Sequence, residues 1–310
     1  MVVTHGFLPA AHAGRGWAVT IGNFDGVHRG HRALIDRVTA KARELGLTSC
    51  VLTFEPHPRE FFAREAAPAR LTRLRDKLEL IEAAGVKRVH IARFDARFAA
   101  RTAASFIEEV LVRGLGMRWL LVGRDFRFGE RRSGDFTTLE DASLRHGFRL
   151  ESMPDVLFEG ERVSSSAVRA ALKVGDLLAA ERLLGHPYTI SGRVAHGAKL
   201  GRDLGFPTAN IVLRRTAPLS GIFAVEVEGV AEGKKAGVAS VGRRPTVNPV
   251  PIPLLEVHLL DWEANLYGSH IKVRFLKKLR DEQKYAGLPE LRAAIAEDAR
   301  QAREYFKAHG

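Results

Sequence analysis

Short apolar runs typical of buried strands alternate with segments of helical periodicity through the first part of the chain. The runs lie at residues 18–21, 49–54, 89–91 and 119–122. Apolar residues at helical spacing follow each of the first three, at residues 34–45, 74–81 and 106–111, and the first helix is predicted to end at Gly46. This alternation predicts a parallel sheet covered by helices on both faces. Because ligands of such sheets bind beyond the carboxyl ends of the strands, functional residues are expected directly after each apolar run.

The first apolar run leads into residues 22–31, which read G-N-F-D-G-V-H-R-G-H. Glycines let a polyphosphate approach the backbone, and the helix that follows adds N–H donors and a partial positive charge. His28 and His31, at the mouth of that helix, can donate hydrogen bonds to phosphate oxygens. The alternatives are a glycine-rich turn with two solvent-facing histidines and a metal site. The strand–turn–helix context favours phosphate binding.

Two further strand ends carry unusual residues. Residues 53–58 read T-F-E-P-H-P and precede Phe61 and Phe62. Two prolines stiffen this loop and the aromatic rings can stack on a flat ligand, although a rigid loop with phenylalanine in the core fits the pattern equally well. Residues 122–129 read V-G-R-D-F-R-F-G, a strand that ends in polar and aromatic residues whose individual roles stay open.

A serine-rich element, V-S-S-S-A-V-R, occupies residues 163–169 and opens a predicted helix. Serine is a good N-cap, so a structural role accounts for one of the three. Three serines with an arginine one turn further can instead hold phosphate through hydroxyls, N–H groups and the guanidinium.

After Gly185-His186-Pro187 the pattern changes from helices to strands. Strand candidates lie at residues 189–195, 209–213, 222–227, 236–241, 254–260 and 271–275. Serial strands separated by glycine and proline turns predict an antiparallel barrel or sandwich, and an apolar stripe from residue 288 to residue 299 predicts a helix near the C-terminus. The predicted class is α/β plus β, with domains at residues 1–185 and 186–310.

Two elements of this second part can carry chemistry. Residues 197–210 read G-A-K-L-G-R-D-L-G-F-P-T-A-N; without the ending of a P-loop, this pattern alone favours a basic hairpin loop. Residues 255–261 read L-E-V-H-L-L-D, and strand alternation puts Glu256 and His258 on one face. A carboxylate there could accept the proton of a hydroxyl that attacks a γ-phosphate. An exposed edge strand is the alternative.

Composition narrows the function classes. The 48 Lys and Arg against 36 Asp and Glu give a net charge of +12, which suits nucleic acid or anionic small substrates. The cations are spread along the chain, so a solvated basic surface explains most of the excess and no nucleic-acid partner is predicted. The single cysteine, Cys50, excludes an intrachain disulfide, and no apolar run approaches the ~20 residues of a membrane span. With no signal-peptide pattern, a cytoplasmic protein without membrane contact is expected.

Taken in order, these elements closely resemble the bacterial bifunctional riboflavin kinase/FMN adenylyltransferases, also called FAD synthetases. Residues 22–31 resemble the H-x-G-H element of nucleotidyltransferases, and residues 163–169 are similar to an I-S-S-T-x-I-R box. The G-x-x-L-G-F-P-T-A-N run resembles the riboflavin kinase signature. The resemblance implies a Rossmann-like nucleotidyltransferase domain followed by an antiparallel β-barrel riboflavin kinase domain. It also implies riboflavin, FMN and Mg²⁺–ATP as substrates; oligomerisation is not predicted.

The resemblance further implies roles for individual residues. In the adenylyltransferase it implies ATP binding by Gly22, Phe24, Asp25, Gly26, His28, His31, Ser164, Ser165 and Arg169. It implies that the flavin end is formed by Pro56, His57, Pro58, Phe62, Asp125 and Phe128. In the kinase it implies ATP binding by Gly197, Lys199, Gly201, Thr208 and Asn210, Mg²⁺ at the last two, and flavin binding by Arg280 and Glu282. The catalytic roles fall to Glu256 as base and to His28 and His31 as phosphate-stabilising groups.

The chain departs from the family pattern at several positions. Val163, Ser166 and Val168 differ conservatively within the serine box, the family varies at the position of Asp125, and residues 261–265, D-W-E-A-N, are less acidic than usual. Three other functions are weighed against the expected one: a chain with one active module, a basic nucleic-acid-binding protein, and a flavin-binding regulator without turnover.

Overall fold

The computed structural model describes residues 1–6, 16–63, 65–196, 204–213, 215–230, 232–244, 252–262 and 266–309. They form two compact units. The first unit comprises Met1–Pro68 and Leu74–Val163, and the second unit comprises Ala69–Arg73 and Ser164–Gly310. The domain boundary expected at residue 185 stays a prediction.

The first unit is built on a six-stranded sheet in which every paired strand runs parallel to its neighbour. Its strands are β1 (Val2–His5), β2 (Trp17–Ile21), β3 (Thr48–Glu55), β4 (Arg88–Arg93), β5 (Met117–Gly123) and β6 (Arg149–Met153). They are arranged in the order β1-β4-β3-β2-β5-β6. The predicted parallel sheet is therefore confirmed, and the two edge strands are the ones that the apolar pattern did not reveal.

Helices cover both faces of this sheet. They are α1 (Arg29–Glu44), α2 (Pro58–Phe62), α3 (Leu74–Ala83), α4 (Ala96–Ala99), α5 (Ala103–Ser105) and α6 (Phe136–His146), with a π-helix at Phe106–Gly114, a 3₁₀ turn at Glu130–Arg132 and a small hairpin of β7 (Leu157–Phe158) and β8 (Glu161–Arg162).

Neighbouring residues of β3 serve opposite faces of the sheet. Val51 packs with Ile35 of α1 and Ile81 of α3, whereas Leu52 packs with Leu111 of the π-helix on the other side. Cys50 is fully buried, and burial raises the pKa of its thiol to about 12, so it packs as a small apolar residue.

The second unit begins with α7 (Ser165–Val174) and α8 (Leu177–Leu184) and continues as a barrel. The barrel strands are β9 (Thr189–Arg193), β10 (Ala209–Val212), β11 (Gly221–Glu228), β12 (Lys235–Arg244), β13 (Ile252–Leu259) and β14 (His270–Arg280). They pair antiparallel in the order β10-β13-β12-β11-β14-β9. The backbone N–H of Ala195 donates to the carbonyl of Asn210 at 2.8 Å, which nearly closes the barrel between its two end strands.

The barrel core and its helical cover use alternate residues of the same strands. Phe223 and Val225 of β11 are fully buried inside the barrel. Ile222 and Ala224 instead pack against Ala302 of α9 (Leu288–His309) on the outer face. The predicted antiparallel barrel and C-terminal helix are confirmed. Among the helices of the described ranges, none is both long and apolar enough to cross a membrane.

Candidate functional site

The three strand ends singled out in the sequence lie side by side in the first unit. β2 sits between β3 and β5 at the centre of the sheet, and because the strands are parallel, their carboxyl ends share one edge. The chain passes from β2 to β3 and β4 on one side and returns to β5 and β6 on the other. Such a reversal of strand order is where open α/β sheets bind ligands, and the three loops begin at this edge.

Residues 22–28, here called the β2–α1 turn, have an unusual backbone. Phe24, Gly26 and Val27 adopt positive φ angles of 48°, 86° and 41°. Positive φ is strained for a side-chain-bearing residue and is common at ligand sites. Phe24 and Val27 compensate by burying their side chains in the core beside Ile35. Any contact of Phe24 with ATP therefore involves its backbone.

His28 and His31 are brought together at the start of α1. The Nδ1 atom of His28 accepts the backbone N–H of His31 at 3.3 Å, which makes His28 the N-cap of the helix. The two imidazoles stack with their centroids 3.7 Å apart and their planes 15° from parallel. An added Cβ at Gly30 would lie 3.2 Å from the His28 ring, so this position favours glycine.

Burial and neighbouring charge keep His31 neutral. The pKa of His31 is lowered well below its ordinary value, chiefly by desolvation, then by the charges of His28 and Lys77. Its Nδ1 atom is buried and has no hydrogen-bond partner among the described residues. A buried polar atom of this kind requires an explanation, and a bound ligand can supply one.

The metal alternative for the two histidines lacks support. Within the described ranges, no group of three or more His, Cys, Asp and Glu side chains is arranged to hold a metal ion. A stacked imidazole pair at a helix N-terminus is instead suited to hydrogen bonding with an anion.

The other predicted ATP ligands fall into two sets. Asp25 and Gly26 are buried within the β2–α1 turn, which begins at Gly22. Ser164 is the N-cap of α7 and accepts the Ala167 N–H at 3.1 Å, so the structural role expected for one serine is confirmed. Ser165 and Arg169, whose Nε donates to the Ala69 carbonyl at 2.6 Å, are also in the second unit. Their participation in a site with His28 and His31 stays a prediction.

The loop after β3 presents aromatic rings. Its His57 caps α2 through a 3.1 Å bond from the Arg59 N–H, and Pro58 begins the helix. The Phe62 ring is 69% exposed and lies 5.2 Å from Phe61. Both also contact Phe94, at 5.6 and 5.7 Å between centroids. These three rings, here called the aromatic surface, offer an apolar face to a planar ligand.

The predicted flavin contacts in the loop after β5 have different environments. Asp125 is exposed and forms a 2.8 Å ion pair with Arg162. The Phe128 ring is buried and stacks on Phe126 with centroids 5.5 Å apart. In this structure Phe128 packs in the core, and its contact with a flavin stays a prediction.

A second site lies on the outer face of the barrel in the second unit. Leu255, Val257 and Leu259 of β13 are buried, whereas Glu256 and His258 are half-buried on the opposite face. The predicted alternation of β13 is confirmed.

Strand register brings the predicted base and a predicted metal ligand together. Asn210 of β10 pairs directly with Glu256, and Ser240 of β12 pairs with Glu256 from the other side. Directly paired residues of antiparallel strands point to the same face, about 5 Å apart at Cβ. The Oδ1 atom of Asn210 is buried and has no hydrogen-bond partner among the described residues, while its Nδ2 donates to the Thr208 carbonyl at 3.2 Å. An amide oxygen of this kind suits Mg²⁺.

His258 attaches the loop before Asn210 to the strand that carries Glu256. Its Nδ1 lies 3.0 Å from the Pro207 carbonyl, and the ring of Phe206 meets the imidazole edge-on at 5.4 Å. Thr208 therefore lies between Pro207, whose carbonyl contacts His258, and Ala209, which begins β10. The other predicted ATP ligands of this site, Gly197, Lys199 and Gly201, lie outside the described residues.

The two predicted flavin ligands near the end of β14 have structural partners. Arg280 forms two hydrogen bonds, of 2.7 and 2.6 Å, with the buried carboxylate of Asp298 in α9. The Glu282 carboxylate lies against the backbone of Gly242, and desolvation raises the pKa of this carboxyl. Arg280 thus ties α9 to the barrel, and the flavin contacts of both residues stay predictions.

Comparison with known proteins agrees with two separate catalytic modules. The FAD synthetase family model matches residues 10–167, and the riboflavin kinase family model matches residues 184–306. A bifunctional riboflavin kinase/FMN adenylyltransferase of Escherichia coli (strain K12) is 52% identical, covering 94% of this chain and 93% of its own. One from Haemophilus influenzae is 46% identical over 99% of both chains. The chain belongs to the bifunctional riboflavin kinase/FMN adenylyltransferase family.

The fold of this flavin enzyme family member also matches a solved structure along its length. A macrolide-efflux protein from Streptococcus pneumoniae superposes with a TM-score of 0.79 at 26% identity, over 98% of this chain and 99% of that one. The likeness supports the two-part architecture described above.

Sequence reasoning assigned no role to three residues that shape the surroundings of the β2–α1 turn and the aromatic surface. Phe94 directly follows β4 and belongs to the aromatic surface, so the strand-end rule could have found it. Thr53 and Lys77 both bond to the carbonyl of Asn23 in the β2–α1 turn. Lys77 falls on the stripe of Leu74, Leu78 and Ile81 in α3, and a lysine on an apolar stripe is a signal of burial.

The neutral state of His31 can be measured directly. We expect NMR titration to show His31 uncharged throughout the range in which an ordinary histidine, of pKa about 6.5, gains its proton. His28→Asn keeps an N-cap acceptor but removes the neighbouring titratable ring. In that variant the pKa of His31 should move upward, towards its ordinary value. If His31 of the wild-type protein titrates like an exposed histidine, the buried position of its imidazole is wrong.

Proposed function

We propose that this chain makes FAD from riboflavin in two steps, with one step in each module. The second unit transfers the γ-phosphate of ATP to riboflavin, which gives FMN. The first unit transfers AMP from a second ATP to FMN, which gives FAD and pyrophosphate. The observation that carries this proposal is the presence of two separately built sites, each within the range of its own family model.

The kinase step uses Glu256 as general base. As the 5′-hydroxyl oxygen of riboflavin bonds to the γ-phosphorus, the carboxylate accepts the hydroxyl proton and the bond from the γ-phosphorus to the bridging oxygen breaks, releasing ADP. Glu256 suits this role because β13 presents it on the face it shares with Asn210. The fixed strand pairing holds the base in place before substrate binds.

Mg²⁺ fits the same face of the barrel. The Oδ1 of Asn210, which is buried and has no hydrogen-bond partner within the described ranges, and the side chain of Thr208 would hold the ion. When bound with ATP, Mg²⁺ neutralises negative charge on the phosphates.

The adenylyl step needs no general base. The terminal phosphate of FMN is already ionised at neutral pH, so its oxygen can attack the α-phosphorus of ATP while pyrophosphate leaves. The demand on the protein is to orient the phosphates and stabilise the charge that shifts to the leaving pyrophosphate. The imidazoles of His28 and His31 can donate hydrogen bonds to those oxygens, and the N-terminus of α1 adds a partial positive charge.

The aromatic surface supports binding of a flavin near these phosphates. Phe61, Phe62 and Phe94 form a ring cluster that follows β3 and β4. A flat isoalloxazine ring can bury its face or edge against such a cluster. The residues of the β2–α1 turn follow β2 at the same edge of the sheet.

Replacing the base should separate the two reactions. Glu256→Gln keeps the shape of the side chain but cannot take a proton, so we expect FMN formation to fall by roughly 10²- to 10⁴-fold. FAD formation from supplied FMN should be unchanged. Chromatography of flavins from both half-reactions measures this. Glu228→Gln, which alters an exposed carboxylate of the same barrel, is the control and should retain both activities. Near-normal FMN formation by Glu256→Gln would exclude the assigned base.

Removing a stacked histidine should have the opposite effect. In His28→Ala we expect FAD formation to fall by roughly 10²-fold or more, because a transition-state donor is lost. FMN should then accumulate from riboflavin. His146→Ala, an exposed histidine of the first unit, serves as the matched control. Loss of both activities in a folded His28→Ala protein would contradict the division of labour.

The metal proposal is tested by titrating Mg²⁺ in the kinase reaction. Asn210→Ala removes the proposed oxygen ligand. The Mg²⁺ concentration at half-maximal FMN formation should therefore rise by at least roughly tenfold. FAD formation from supplied FMN should depend on Mg²⁺ in the Asn210→Ala variant as it does in the wild-type protein. The same Mg²⁺ midpoint for FMN formation in both proteins would remove Asn210 from the metal site.

A further inference from the structure

Lys77 is a buried cation behind the β2–α1 turn. It lies in α3, and the residue is only 4% exposed. Its Nζ donates to the backbone carbonyl of Asn23 at 2.7 Å. The hydroxyl of Thr53, from β3, donates to the same carbonyl at 3.3 Å. One carbonyl of the turn is therefore held by donors from two different elements.

The two hydrogen bonds to the Asn23 carbonyl matter because of where this carbonyl lies in the turn. Asn23 immediately precedes Phe24, the first of the three positive-φ residues of the turn. With two donors on its carbonyl, the peptide between Asn23 and Phe24 cannot rotate without breaking both bonds. A charged donor roughly doubles the strength of such a bond, and it polarises the peptide so that the N–H on its other side becomes a better donor.

A buried ammonium is an unusual donor for a backbone carbonyl. Desolvation disfavours an ammonium ion, whereas a neutral donor such as the hydroxyl of Thr53 avoids this penalty. Two acidic residues, Asp25 of the turn and Asp76 beside Lys77 in the chain, are also buried in the first unit. Leucine or methionine would fill the apolar stripe of α3, so packing of this stripe alone does not require a lysine at position 77.

The charge of Lys77 also acts on His31. It is one of the causes that lower the pKa of His31, after desolvation and the charge of His28. Lys77 is thus linked to the turn through the Asn23 carbonyl, and to His31 of α1 through its charge.

We propose that Lys77 is a positioning residue for adenylyl transfer: its ammonium anchors the Asn23 carbonyl and so sets the β2–α1 turn in the conformation that receives the ATP phosphates. This inference rests on the proposed adenylylation at that turn. It predicts that Lys77 affects FAD formation without any contact between Lys77 and substrate.

The test compares Lys77→Met, Lys77→Gln and Lys77→Arg in the full chain. With FMN and ATP supplied, we expect Lys77→Met to lower kcat by tenfold to a hundredfold with a smaller change in KM, because a misplaced turn binds ATP but fails to align it. Lys77→Gln keeps a neutral donor and should lie between Met and the unchanged protein. Lys77→Arg keeps a charged donor and should recover most activity. FMN formation from riboflavin should stay constant throughout.

A readout independent of activity separates positioning from simple destabilisation. In Lys77→Met the pKa of His31, measured by NMR, should rise as the neighbouring charge is removed. Lys87→Met, an exposed lysine of the first unit, should change neither kcat nor His31. Fluorescence of the buried Trp17 and Trp119 reports whether the first unit is folded. If Lys77→Met does not fold, the comparison of kcat between Lys77→Gln, Lys77→Arg and the wild-type protein tests the inference.

The outcomes distinguish this inference from the function on which it rests. If the unchanged protein makes no FAD from FMN, the proposed function is wrong. If it makes FAD and the folded Lys77→Met retains the same kcat and His31 pKa, the function stands and the inference is overturned. Equal losses of kcat for FAD formation in folded Lys77→Met, Lys77→Gln and Lys77→Arg variants would also overturn the inference. If a donor anchors the carbonyl, kcat should be higher in the Gln variant than in the Met variant, and highest in the Arg variant.

Discussion

The adenylyltransferase site depends on a strained turn that the hydrophobic core holds in place. Phe24 and Val27 adopt left-handed backbone conformations, each of which costs on the order of 1–3 kcal/mol. Burial of an apolar side chain of this size contributes about 1.5–3 kcal/mol, and both side chains are buried beneath the turn. The two magnitudes are comparable, so packing can maintain a backbone conformation that residues 22–28 would not hold alone. His28 and His31 gain their stacked arrangement from this turn.

The kinase site depends on strand register in the same way. The buried face of β13 is formed by Leu255, Val257 and Leu259. A slip of one residue would turn this face outward and push Glu256 into the barrel interior, where an ionised carboxylate without a partner is strongly disfavoured. The pattern that builds the barrel core therefore also places Glu256 opposite Asn210. Each unit uses apolar packing to fix polar groups on an adjacent surface.

Much of this architecture could be predicted because it follows from local patterns. Parallel strands buried on both faces produce continuous apolar runs, and four of the six strands of the first sheet were found that way. β1 and β6 were missed because edge strands are partly exposed and carry polar residues, as in the R-L-E-S-M of β6. The pattern at residues 106–111 predicted a helix, but a stretch so short does not distinguish the π-helix of Phe106–Gly114 from an α-helix.

The parts of the site that escaped prediction depend on tertiary contacts. His28 and His31 stand in a motif whose context predicts phosphate binding, whereas Glu256 is assigned as the base through the family resemblance. Lys77 stands in an ordinary amphipathic helix, and its role arises only when α3 meets the carbonyl of Asn23, 54 positions earlier in the chain. The burial of Phe128 likewise depends on packing against Gly134 and Ala103, which no local pattern specifies.

Phosphoryl transfer and adenylyl transfer by one chain are tested most directly by following labelled phosphorus from ATP. The purified protein is given riboflavin with Mg²⁺ and ATP labelled at either the γ- or the α-phosphate, and the FAD formed is cleaved into FMN and AMP. We expect γ-label in FMN and in the FMN half of FAD, and α-label only in the AMP half. Label from the α-phosphate in FMN, or FAD whose FMN half lacks γ-label, would contradict this expectation.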